Sequence, residues 1–87
     1  MHAVVVTVTV NERSAAIDAL RERVVPRVAQ AAGFIAGYWL AMPGGQGLSI
    51  MMFDSEDAAR TAAENAQLTS DFVTLESVEV AEVVASV

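Results

Sequence analysis

Gly33-Phe34-Ile35-Ala36-Gly37-Tyr38-Trp39-Leu40-Ala41-Met42-Pro43-Gly44-Gly45-Gln46-Gly47-Leu48-Ser49-Ile50-Met51-Met52-Phe53 reads as two strands around a turn. The strands are Phe34–Met42 and Leu48–Phe53, both rich in aromatic and aliphatic side chains that suit a pleated surface. Between them, Pro43 presets one backbone angle and the glycines supply conformations closed to other residues. This glycine run joins two strands and opens no helix, so it is no phosphate cradle. Outward from the hairpin the chain is symmetric in kind. A helical stretch, about Arg13 to Ala32, and a strand, Ala3 to Val10, lie upstream. A second helix, about Ser55 to Leu68, and a last strand ending near Val84 lie downstream.

The first strand alternates: Val4, Val6, Val8 and Val10 share one face, and Ala3, Val5, Thr7 and Thr9 the other. The all-valine face belongs under the helices, which leaves the threonine-bearing face open. By the same logic Leu48, Ile50 and Met52 go under the helices, and Ser49, Met51 and Phe53 face the open side. Tyr38 and Trp39 are adjacent and so point to opposite faces; the hairpin turn does not fix which one is open. A ligand cavity on the open face would thus be lined by Thr7, Thr9, Tyr38 or Trp39, Ser49, Met51 and Phe53. Met51 and Phe53 also fit plain packing of a second copy.

In the first helix Ile17, Leu20, Val24, Val28 and Ala31 form one apolar stripe, with Asn11 as its cap. Asp18, Arg21, Glu22 and Arg23 read as a solvated face. Pro26 should bend or restart the helix near Val25, and Gly33 should end it. The second helix, capped by Asp54 or Ser55, turns Ala58, Ala59, Ala62, Ala63 and Ala66 inward, so it should lie close on the sheet with little cavity beneath. Asn65 and Gln67 mark its fraying end, before the loop Thr69-Ser70-Asp71. In the last strand the apolar phase slips between Val80 and Val83, predicting a bulge near Ala81 and Glu82. Glu76, Glu79 and Glu82 read as edge charges that discourage aggregation rather than as metal ligands. His2, the one histidine, reads as an exposed terminal residue.

The chain has 87 residues, 54% of them hydrophobic, a formal net charge of −6 and no cysteine. One domain over residues 1–87 is expected, with more apolar surface than so small a core can absorb. The missing cysteines exclude disulfides, thiolate catalysis and sulfur-ligated metals. The acidic balance argues against a nucleic-acid partner, since phosphate binding needs a basic face. The most apolar long window, Val24 to Met42, contains Pro26, Arg27, Gln30 and two glycines, so no membrane span is expected. No basic residue precedes the first apolar strand, as a secretory leader would require, so the expected location is cytoplasmic.

The order strand–helix–strand–strand–helix–strand is that of a ferredoxin-like α+β fold: a four-stranded antiparallel sheet with two helices on one face. With Gly33-Phe34-Ile35 opening the second strand, and Phe53-Asp54-Ser55-Glu56-Asp57-Ala58 carrying the third strand into the second helix, the chain resembles the dimeric α/β-barrel superfamily. That superfamily includes the antibiotic-biosynthesis monooxygenase-like proteins. The resemblance implies a homodimer through the open sheet face, two sheets closing around a cavity, and a C-terminal strand reaching to the partner. It further implies a choice of activities. Haem-degrading members use a histidine on or near the second helix, where this chain has none. Cofactor-free monooxygenases act on aromatic substrates and would need no cofactor here. The expectation is therefore such a monooxygenase or, alternatively, a non-catalytic dimer that binds a small apolar or aromatic ligand or serves as an accessory module. A third reading has the open faces packing solidly, with no cavity. No complete catalytic set can be read from the residues.

Overall fold

The computed structural model describes residues 1–66 and 73–87. Its elements are β1 (His2–Val10), α1 (Arg13–Ala19), a π-helical segment (Leu20–Val24) running into α2 (Val25–Ala29), β2 (Phe34–Met42), β3 (Gln46–Phe53), α3 (Glu56–Ala66) and β4 (Val73–Glu82). The strands form one sheet in the order β2-β3-β1-β4, with every neighbouring pair antiparallel. β3 therefore lies between β1 and β2, and β1 between β3 and β4. This small α+β arrangement is compatible with a ferredoxin-like fold.

The register fixes the faces. Val4 stands opposite Met51, Val6 opposite Ser49, and His2 opposite Phe53. Val4, Val6, Met51 and Phe53 are buried with Ala59 and Ala63 of α3, so this is the face under the helices. The assignment of β3 from its sequence is thereby reversed. Ser49, Met51 and Phe53 point toward the helices, while Leu48, Ile50 and Met52 face the open side. Both rows of β3 are apolar, and cross-strand partnership with the valines of β1 decides between them. Phe53 is fully buried and meets Phe34 edge-on, ring centres 5.8 Å apart at 71°.

α3 packs as its alanines require. Ala59 and Ala63 are buried, and Ala58, Ala62 and Ala66 lie half-buried against the same cluster. Ser55 caps it, its Oγ accepting a hydrogen bond from the Ala58 amide at 3.2 Å. Glu56 and Asp57 occupy its first turn, at the positive end of the dipole. Gln67, Leu68, Thr69, Ser70 and Asp71, where the end of this helix and its loop were expected, lie outside the described residues.

The first helical stretch departs from a plain α-helix. The wide π turn comes just before Pro26, whose ring would crowd the Glu22 carbonyl in a regular helix. The extra residue in that turn shifts the inner row, so Val25 is half-buried and Val24 is 40% exposed. The stripe through Ile17, Leu20 and Val28 survives; its Val24 member does not. Glu12, rather than Asn11, stands at the cap position and makes no side-chain cap bond. The Asn11 amide instead donates to Thr74 Oγ1 at 3.1 Å.

The turn between β2 and β3 is shorter than expected, with β3 starting at Gln46. Gly44 and Gly45 both adopt positive φ, 84° and 82°, which explains the pair of glycines. The Val10 amide donates to the Gly45 carbonyl at 2.8 Å and ties this turn to the end of β1. The expected irregularity in β4 exists at another place. The pairing with β1 shifts between Thr7 and Val8, so Glu76 is the extra residue between Leu75 and Ser77.

Candidate functional site

The face away from the helices is built from alternate residues of four strands. β1 contributes Ala3, Val5, Thr7 and Thr9, and β3 contributes Met52, Ile50, Leu48 and Gln46 opposite them in turn. On the outer strand β2 the same row holds Tyr38, Leu40 and Met42, which are 55%, 44% and 42% exposed. On the other outer strand, β4, it holds Thr74, Ser77 and Glu79. The face is thus divided along its width. The β2–β3 half is apolar apart from the Tyr38 hydroxyl and Gln46, while the β1–β4 half carries hydroxyls and carboxylates.

The bulge places a carboxylate on the polar half. Thr9 Oγ1 donates to Glu76 Oε1 at 3.2 Å, and Thr9 belongs to the open row of β1. Glu79 of β4 pairs with Val5 of β1, also an open-face residue. Strict alternation along β4 hides this arrangement, because the bulge resets the phase at Glu76. The readable signal was the three-residue step from Leu75 to Val78, both of which pack against the core. Among the described residues no group of three or more histidine, aspartate or glutamate side chains is placed to hold a metal ion.

The cavity residues expected from the sequence separate into two sets. Thr7, Thr9 and Tyr38 share the open face. Trp39 packs on the helix side, its indole folded back over Gly37, where an added Cβ would come within 2.8 Å of the ring. Ser49, opposite Trp39 and Val6, shares the helix side with the buried Met51 and Phe53. The structure therefore brings together three of the seven and adds Leu48, Ile50, Glu76 and Glu79 to them.

Two other features lie away from the open face. His2 is largely covered rather than exposed: its side chain is 22% accessible, with Nε2 3.8 Å from Glu56 Oε2. Glu56 in turn pairs with Arg60 at 3.4 Å, so His2 links the start of β1 to the first turn of α3. Among the described residues its Nδ1 is buried without a partner. A shallow groove of about 270 Å³ lies between the end of the first helical stretch and α3. Ala31, Ala32, Ala58 and Ala62 line it, with Asp57, Thr61 and Asn65 alongside. The alanines that let α3 approach the sheet leave this space. Among the described residues no helix is long and apolar enough to cross a membrane. Compared with family models, curated proteins and solved structures, the chain gives no match.

Proposed function

We propose that the chain works as a homodimer whose open sheet faces meet as a ferredoxin-like dimeric α/β barrel, holding a small apolar or aromatic ligand between them. The observation that carries this reading is the exposed apolar half-face, Tyr38, Leu40 and Met42 on β2 beside Leu48 and Ile50 on β3, with the helices on the opposite side of the sheet. Contiguous apolar surface of this kind favours a partner over water. A second copy fits better than a basic partner or nucleic acid, because the open face itself is mostly uncharged. The ligand class follows from the lining: an aromatic body suits the β2–β3 half, and a hydrogen-bond donor such as a phenolic hydroxyl suits Glu76 and Thr9.

A catalytic version of this reading rests on Glu76. Thr9 donates to its carboxylate on the open face, and with a second copy over that face the carboxylate would accept a proton from a bound phenol. The ionised phenol would then supply all the electrons for reaction with dioxygen at an activated methylene, one oxygen atom entering as a carbonyl and the other leaving as water. Oxygen uptake with polycyclic phenols tests it. Wild-type protein should consume oxygen, and Glu76→Gln should lower the rate by about a hundredfold, the lower range for loss of a general base. Ligand binding to the wild type without oxygen uptake would leave the non-catalytic dimer as the function. Equal rates in both proteins would remove Glu76 from the chemistry.

A further inference from the structure

The chain has no cysteine, so its four methionines are its sulfur redox chemistry, and their settings differ sharply. Met51 is 5% exposed in the core beneath α3. Its neighbour Met52 is on the open row, opposite Ala3 of β1 and Ala36 of β2. Met42 ends the open row of β2 and is 42% exposed. Met1 is as exposed, at 43%, and by the alternation of β1 falls in the same row as Ala3 and Val5, its carbonyl accepting from the Val83 amide at 2.9 Å.

We infer that Met42 and Met52 make the open-face contact sensitive to hydroperoxides, so that oxidation separates the two copies. This rests on the open-face dimer proposed above. The thioether sulfur attacks one peroxide oxygen, the O–O bond breaks, an S–O bond forms, and water or an alcohol leaves. Sulfur is oxidised by two electrons and the peroxide is reduced by two. The product places a strong polar S–O group in the apolar half of the face, where docking would strip its water. Reaction proceeds from the separated copies, in which Met42 is open to solvent. Each sulfoxide should weaken the dimer by about tenfold, the cost of burying one polar group poorly paired. Met51 is protected by the core and serves as the internal control.

The test is graded hydrogen peroxide treatment, with peptide mass spectrometry to locate added oxygen and native mass spectrometry to read the dimer fraction. Met42 and Met52 should oxidise well before Met51, and the dimer fraction should fall as they do. The double variant Met42→Leu/Met52→Leu, close to volume-conserving, should stay dimeric in the same peroxide. Dimers that persist with both sites oxidised would overturn the inference, as would equal peroxide-driven loss of dimer in the double variant. Early oxidation of Met51 would do so too, by showing that the fold and not the contact had failed. An untreated wild-type monomer would instead sink the open-face dimer, and this inference with it.

Discussion

Phe53 closes the core at the end where β1, β3 and α3 meet, fully buried and edge-on to Phe34. Phe53→Ala should cost about 3–5 kcal/mol, enough to unfold much of a domain this small, with urea denaturation as the measurement. Met52→Ala, one residue earlier and on the open face, should cost the isolated chain far less. The contrast tests the facing of β3, which reading the residues alone assigned the other way. Its pattern shows a strand clearly, but Leu48, Ile50 and Met52 are as apolar as Met51 and Phe53. Only the register against Val4 and Val6 separates them. Trp39 shows the same limit: adjacency put it opposite Tyr38, and the space over Gly37 decided which went under the helices. Gly37→Ala should therefore displace the indole and lower stability by about 1–3 kcal/mol, visible as altered tryptophan fluorescence and an earlier denaturation midpoint.

The elements were more legible than their faces. Valine–threonine alternation marked β1, the alanine row marked α3, and two glycines marked the tight turn, because each is a local signal with a local cause. Irregularities were partly readable. Pro26 announced a break, realised as a π turn that moves the inner row from Val24 to Val25. The β4 bulge was expected near Ala81 and Glu82 but lies at Glu76, because both Leu75-to-Val78 and Val80-to-Val83 break alternation and sequence alone does not rank them. Ala59 is fully buried where α3 lies on the sheet, so Ala59→Leu should lift the helix and cost about 1–3 kcal/mol, read from the thermal midpoint. The same change at Glu64, on the exposed side of α3, should be nearly neutral.

At the scale of the molecule, the sheet has one face committed to the helices and one divided between an apolar and a polar half. The sequence led to the open face, to Thr7 and Thr9 on it, to one of Tyr38 and Trp39 without deciding between them, and to the excess of apolar residues. It did not lead to Glu76, because a bulge in one strand aims that carboxylate. Central to the account is that a second copy covers the apolar half. The direct measurement is native mass spectrometry of the wild-type chain at micromolar concentration beside Leu48→Glu, which sets a charge in the middle of the open row while leaving the core untouched. The wild type should be a dimer and Leu48→Glu a folded monomer, with matching circular dichroism. A wild-type monomer, or a Leu48→Glu protein that dimerises as well as the wild type, would contradict it.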